Sequence, residues 1–178
     1  WNAPGRYVVS GGALSTMASR FGFGEKTGIC LPDIEKSGFM PTPESYAKKG
    51  SALSGGYLAN AAIGQGEVLA TPLQVCQMMA GVARGDSVPR PRLVKMVQDV
   101  DGKIVQHFPP SNRNTLSFEK ENLDAVRRGL YLVVNGGGGT GARASNSYVT
   151  IVGKTGTGEW SSDKSQYVAW FAGYLPYK

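Results

Sequence analysis

Residues 148–160 read Tyr-Val-Thr-Ile-Val-Gly-Lys-Thr-Gly-Thr-Gly-Glu-Trp, and residues 166–175 read Gln-Tyr-Val-Ala-Trp-Phe-Ala-Gly-Tyr-Leu. β-Branched and aromatic residues are frequent in both runs, and a polar stretch at 161–165 separates them. This pattern predicts two antiparallel strands joined by a turn, the second of them apolar on both faces. Because a two-stranded ribbon is barely stable alone, further strands and helices must cover it.

The first of these strands contains Lys154, Thr155, Gly156 and Thr157 in succession. Regular pleating places Lys154 and Gly156 on one face and the two threonines on the other. A glycine in an edge strand lets a second backbone approach closely, so a peptide could add to this edge through main-chain hydrogen bonds. Lys154 would then supply positive charge, and the Thr157 hydroxyl would bind a carboxylate.

A second Lys-Thr-Gly triplet occurs at residues 26–28. It lies in a stretch, residues 25–60, that is rich in glycine and proline and has little periodicity, which predicts a loop-dominated region. Because a short motif needs its structural context, we expect this copy to have no chemical role.

Helices are predicted on both sides of a hairpin. A short helix is expected at 11–20, and a longer one after the capping box formed by residues 71–74, ending at Gly85. Its buried stripe is expected to comprise Val75, Cys76, Met79, Val82 and Ala83. Residues 92–108 predict a hairpin with a type I′ turn at Asp101-Gly102. A last helix is expected at 117–135, with Ser117 as its N-cap.

Composition excludes several classes of protein. The 178 residues include 19 Lys and Arg against 13 Asp and Glu, a net charge of +6, but the basic residues are scattered and no aromatic residues interleave with them. This distribution argues against nucleic-acid binding. Cys30 and Cys76 are too few for a disulfide scaffold or a zinc site, and each is expected to be a small buried hydrophobe. His107, the only histidine, is expected at the surface, which leaves little room for Ser-His-Asp or metal chemistry.

Several segments together resemble the penicillin-binding protein transpeptidases. Lys154–Thr157 matches the third motif of that family, which also uses S-x-x-K and S-x-N motifs. Four further segments resemble the family in the same order: Phe21–Pro32, Ile63–Gln74 with its Gly-Gln-Gly, Gly138–Gly141 and Ala169–Pro176. The resemblance covers nearly the whole chain and is strongest to the elongation-type class B enzymes, the penicillin-binding protein 2 group. In this family the triplet after Phe-Gly-Phe-Gly belongs to a loop.

The resemblance implies an α+β fold, an antiparallel sheet flanked by helices as in the serine β-lactamases. It implies a D,D-transpeptidase that cross-links peptidoglycan through a serine acyl-enzyme and is inhibited by β-lactams. By the same resemblance the catalytic residues carried here are Lys154, Thr155, Gly156 and Thr157. The implied partners are the D-Ala-D-Ala stem peptide, β-lactam antibiotics, a membrane glycosyltransferase and cell-elongation proteins, at the extracytoplasmic face of the bacterial membrane (the periplasm).

The motif that supplies the nucleophile has no convincing match. S-x-x-K occurs at Ser45, Ser117 and Ser161, but all three follow the Phe-Gly-Phe-Gly segment, whereas the family's nucleophile precedes it. No S-x-N triplet occurs. We therefore expect residues 1–178 to be the C-terminal portion of one transpeptidase domain, truncated at both ends, with an incomplete sheet, a membrane anchor outside it and no activity alone. Two alternatives remain: a D,D-carboxypeptidase or β-lactam sensor of the same fold, and a non-catalytic peptide-binding fragment.

Overall fold

The structure, a computed structural model, describes residues 12–31, 33–159 and 166–177. The helices are α1 (Gly12–Arg20), α2 (Pro43–Ala47), α3 (Gly55–Ala62), α4 (Pro72–Arg84) and α5 (Lys120–Asn135). The strands are β1 (Ser87–Pro89), β2 (Met96–Gln98), β3 (Ile104–His107), β4 (Asn112–Thr115), β5 (Val152–Glu159) and β6 (Tyr167–Tyr174). They form three two-stranded antiparallel sheets, β1–β4, β2–β3 and β5–β6.

The β5–β6 ribbon positions the predicted site. Its register runs without a bulge from Val152 opposite Tyr174 to Glu159 opposite Tyr167, and α5 packs against β5 while α4 packs against β6. The predicted strand pair is confirmed, although β5 begins at Val152, four residues later than expected. The Asn135 side-chain amide donates 2.9 Å to the carbonyl of Ile151, the residue just before β5. The predicted turn at 161–165 lies outside the described residues.

Helix α4 confirms the predicted capping box. The Thr71 hydroxyl accepts from the Gln74 main chain at 3.2 Å, the Gln74 side chain accepts from the Thr71 N–H at 2.8 Å, and Gly85 ends the helix with φ of 84°. Met79 and Val82 are buried as predicted, but Cys76 is exposed and Gln74 is fully buried. Gln74 is buried because its amide donates at 2.8 Å to the carbonyls of Glu25 and Ser37, which ties the 22–38 loop to the helix.

Three local predictions are wrong. Helix α5 begins at Lys120 with Glu119 as its N-cap, so Ser117 is not the cap. The β2–β3 hairpin exists, but its connection is longer than two residues: the Asp99 N–H donates to the Lys103 carbonyl at 3.0 Å. Of the central pair only Gly102 has positive φ, and a type I′ turn requires both. Cys30 is exposed and left-handed (φ 61°), because it lies in a turn.

The 25–60 region is less irregular than predicted, since it contains the short helices α2 and α3. Ser45 therefore lies in α2 and not in a loop. In the described ranges no helix has the length and apolar character needed to cross a bilayer.

Candidate active site

The outer edge of β5 is open. Within residues 12–31, 33–159 and 166–177, β5 pairs only with β6, so its second edge has no strand partner. Two carbonyls of β5 accept side-chain donors: Lys154 Nζ donates 2.7 Å to the Thr155 carbonyl, and Gln65 Nε2 donates 3.3 Å to the Thr157 carbonyl. Because alternate residues of a strand direct their main-chain groups to the same edge, Thr155 and Thr157 both face this open edge.

The four predicted site residues, Lys154 to Thr157, all lie on β5. Lys154, Gly156 and Thr157 are exposed, and Thr155 is half-buried. Lys154 forms no ion pair with any described residue. As far as the described residues show, the edge therefore combines an ammonium group without an ion-pair partner, a Thr157 hydroxyl without a hydrogen-bond partner and outward main-chain groups, which suits an anionic peptide terminus.

The two glycines of β5 next to the site differ in why glycine is needed. A Cβ on Gly153 would lie 2.6 Å from Phe171 Cζ and 2.7 Å from the Ala172 carbonyl, so packing inside the ribbon requires glycine there. A Cβ on Gly156 would find only Trp170 Cβ, at an ordinary 3.5 Å. Contacts among the described residues therefore give no reason for glycine at 156.

Thr155 is held from a second segment. Its hydroxyl lies 2.7 Å from that of Thr140, in the turn after α5. Thr140 belongs to the Gly138–Gly141 segment, which the sequence marked by resemblance alone. The contact gives this segment a physical role, because it fixes the Thr155 rotamer against the end of α5.

A cleft of about 490 Å³ lies on the inner side of this strand. Residues 154–158 form one wall, and the rest comes from β6, the α3–α4 connection, α4 and α5: Ile63, Gly64, Val75, Met78, Met79, Val82, Val126, Leu130, Trp170 and Ala172. Most of these side chains are apolar, and Val126 is 53% exposed. Apart from the strand itself, the cleft is hydrophobic.

The second triplet lies in a different environment. Thr27 is fully buried, and its hydroxyl and main-chain N–H both donate to Glu35 Oε1, while the Gly28 N–H donates to Glu35 Oε2 at 3.1 Å. Burial raises the pKa of Glu35, but the hydrogen bonds from the Thr27 side chain and from the main chain of residues 27–29 outweigh it and lower the pKa below its ordinary value. These contacts make residues 26–28 a closed structural turn, as expected.

The other candidate residues lie apart from the β5 edge. Ser45 closes the capping box of α2, since its hydroxyl donates to the Thr42 carbonyl at 2.8 Å. His107 is exposed at the end of β3, as predicted. Lys120, the partner of Ser117 in its S-x-x-K match, pairs with Asp124 at 2.6 Å. Ser161 lies outside the described residues.

Several known proteins are similar to this chain in sequence. The family profile described as penicillin binding protein transpeptidase domain matches residues 10–178. Penicillin-binding protein H of Bacillus subtilis (strain 168) is 34% identical over 175 residues, covering 90% of this chain and 23% of that protein. The peptidoglycan D,D-transpeptidase MrdA of Haemophilus influenzae is 30% identical over 191 residues, covering 92% and 27%.

Solved structures are similar to this chain in fold. The complex between penicillin-binding protein 2 and MreC from Helicobacter pylori matches with a TM-score of 0.70 at 31% identity, covering 92% of this chain and 29% of that chain. This likeness confirms the predicted α+β transpeptidase fold. The chain spans about a quarter of the length of the curated relatives it matches.

Proposed function

Because this chain belongs to the penicillin-binding protein transpeptidase family, we propose that it is part of a peptidoglycan D,D-transpeptidase that cross-links the bacterial cell wall. Two facts support the proposal: the name of the Haemophilus influenzae relative and the similarity to solved penicillin-binding protein 2. The observation that carries it is the open edge of β5, where Lys154 and the outward main chain of Thr155 and Thr157 meet.

The proposed reaction has two covalent steps. A serine hydroxyl attacks the carbonyl of the penultimate D-Ala of a stem peptide, the peptide bond breaks, and the terminal D-Ala leaves. The acyl group then passes from the serine to an amine of a neighbouring stem, which regenerates the hydroxyl. No metal or cofactor takes part.

In this scheme the β5 residues bind the donor stem peptide. Lys154 attracts the terminal carboxylate, and the Thr157 hydroxyl donates a hydrogen bond to it. The Thr157 N–H faces the open edge and stabilises the oxyanion of the tetrahedral intermediate. Thr155 is fixed by Thr140 and holds the strand in place, and Gly156 leaves room for the peptide backbone.

We propose that residues 1–178 are the C-terminal portion of one such domain and that the nucleophile lies upstream of Phe21 in the parent protein. Two observations support this: the fraction of the relatives that the chain spans, and the placement of Ser45 in a helix cap. The chain alone is then inactive.

The partners follow from the same assignment. β-Lactams bind as mimics of the D-Ala-D-Ala terminus, and the parent acts in the periplasm, at the outer face of the membrane. The solved complex of penicillin-binding protein 2 with MreC supports cell-elongation proteins as partners. We propose a membrane glycosyltransferase as a further partner, which would supply the glycan strands.

Fluorescent penicillin tests the assignment. The full-length parent is expected to be labelled covalently, and the 178-residue chain is not. A full-length protein that fails to label would contradict the transpeptidase assignment, and a labelled 178-residue chain would contradict the absence of the nucleophile from it.

A further inference from the structure

The side chain of Gln65 lies on the open edge of β5, next to the proposed catalytic residues. Its amide donates to the Thr157 carbonyl at 3.3 Å, although the two residues are 92 positions apart. A strand carbonyl at an open edge is the acceptor that an added peptide strand uses. Gln65 therefore occupies a position at which a ligand amide N–H would bind.

The connection between α3 and α4 fixes the position of the Gln65 backbone. Gly64 and Gly66, on either side, have φ of 73° and 77°, a left-handed conformation that other residues rarely adopt. The Gln65 N–H donates 2.9 Å to the Asn60 carbonyl, which anchors the connection to the end of α3. The backbone is thus fixed, while the half-buried side chain can still rotate.

The neighbouring carbonyl is occupied in a similar way. Lys154 Nζ donates to the Thr155 carbonyl at 2.7 Å, from the same strand. Both outward acceptors at the centre of the edge are therefore satisfied by side-chain donors when no ligand is bound. This also limits the exposure of an unpaired edge to other strands.

We propose that Gln65 is a displaceable cap on the open edge of β5. Its side-chain amide donates a hydrogen bond to the Thr157 carbonyl in the free enzyme, and the amide N–H of the incoming stem peptide replaces it there. This inference rests on the proposed transpeptidase function. It makes Gln65 a specificity-determining residue, because only a ligand that offers an amide N–H competes with Gln65 for the Thr157 carbonyl, whereas a ligand without one leaves the cap in place.

The expected size of the effect follows from the exchange. A neutral hydrogen bond in water contributes about 0.5–1.5 kcal/mol, which corresponds to about a two- to tenfold change in a dissociation constant. Removing the cap should therefore tighten the noncovalent binding of amide-bearing ligands by about that factor.

The test uses the full-length parent with Gln65→Leu, which keeps the volume and removes the donor, and Gln65→Ala as a second variant. Gln98→Ala is the matched control, because Gln98 also donates to a main-chain carbonyl, that of Gly102 at 2.9 Å, but lies on the separate β2–β3 sheet. The probes are benzylpenicillin, which has an acylamino N–H, and penicillanic acid, which has the same bicyclic nucleus without it.

Both Gln65 variants should lower the dissociation constant for benzylpenicillin about two- to tenfold, with no such gain for penicillanic acid and no change in Gln98→Ala. Unchanged or weaker binding of benzylpenicillin, or equal changes in the dissociation constants of both probes, would contradict the proposal that Gln65 caps the Thr157 carbonyl. A wild-type protein that neither probe acylates would instead overturn the transpeptidase assignment on which the cap rests.

Discussion

The same three residues, Lys-Thr-Gly, occur at 26–28 and at 154–156, and the protein uses them in opposite ways. At 26–28 the threonine is fully buried and bound to the Glu35 carboxylate. At 154–156 the threonine is half-buried on a strand whose outer edge has no strand partner in the described ranges, and its hydroxyl is hydrogen-bonded to that of Thr140. The polar groups of Thr27 and Gly28 are thus bound to Glu35 within the chain, whereas residues 154–156 lie on a strand whose outer edge has no strand partner among the described residues.

This difference shows that the surroundings of a short motif decide its chemistry. Around residues 26–28, Arg113 donates to the Lys26 carbonyl and pairs with Glu25, so Arg113 holds this segment in place in addition to Glu35. Around residues 154–156, α5 packs against the strand and β6 pairs with it, and among the described residues no strand pairs with its outer edge. Matched substitutions in the two copies should therefore separate stability from activity.

The largest difference is expected for the lysines. In the full-length protein, Lys154→Ala should slow acylation by fluorescent penicillin about 10²–10³-fold, the usual cost of removing one preorganised group from such a site. Lys26→Ala, the matched control, should change the rate less than about twofold because Lys26 is an exposed residue of the structural turn. Equal rates in wild type and Lys154→Ala would remove Lys154 from the site.

The partner of each threonine gives the next largest effect. Glu35→Ala should lower the free energy of unfolding by about 1–3 kcal/mol, because the buried Thr27 hydroxyl and two or more main-chain N–H groups lose their acceptor. Thr140→Ala, which removes the partner of Thr155, should cost less than about 0.5 kcal/mol since its hydroxyl is exposed. Chemical denaturation of the full-length protein measures both, and the reverse order would contradict the contrast.

The glycines of the two triplets should also differ in whether their substitution affects stability or penicillin binding. Gly28 has φ of 82°, and a Cβ there would lie 2.8 Å from Arg90 Nη1, so Gly28→Ala should destabilise the protein by roughly 1–2 kcal/mol. Gly156→Ala should leave the melting temperature nearly unchanged and weaken penicillin binding, because the added methyl group meets only Trp170 Cβ within the chain. Full penicillin binding by Gly156→Ala would show that no ligand approaches that position.

A smaller effect on acylation is expected at Thr140. Thr140→Val keeps the shape and removes the hydroxyl, so it should slow acylation about two- to tenfold, the equivalent of one neutral hydrogen bond. Thr140→Ser restores the hydroxyl and should recover most of the rate. Equal loss in the valine and serine variants would assign the effect to packing and not to the hydrogen bond with Thr155.

The smallest effect is the dependence of stability on pH through Glu35. Its pKa is lower in the folded protein than the ordinary 4.5, so the unfolded state binds more protons between the two values. The stabilisation is therefore complete above about pH 4.5 and is lost as the pH falls through the lower folded pKa. In Glu35→Gln this loss should be absent, and the stability gap to wild type should narrow on acidification; a constant gap from pH 7 to pH 3 would contradict it.

The sequence predicts those features that short-range signals determine. The capping box of α4, its Gly85 end and the β5–β6 pair all follow from neighbouring residues, and the structure confirms them. Ser117 failed as an N-cap because a favourable residue type does not fix which turn starts a helix, and here Glu119 precedes the first helical residue.

The contacts that shape the site depend on the fold as a whole. Gln65 reaches Thr157 across 92 residues, and Thr140 reaches Thr155 across 15. Buried Gln74 likewise binds carbonyls 49 and 37 residues away. No periodicity or local propensity encodes such pairs. The only sequence signals were the glycines around Gln65 and Thr140, which mark unusual backbone but not its partner.

The most direct test of the central claim, that the β5 edge binds the substrate, is a crystal structure of the full-length protein acylated by benzylpenicillin. We expect the acylamino N–H to lie within hydrogen-bond distance of the Thr157 carbonyl, the ligand carboxylate to lie beside Thr157 and Lys154, and the Gln65 amide to have moved away. A ligand bound away from β5, or Gln65 still on the Thr157 carbonyl, would contradict it.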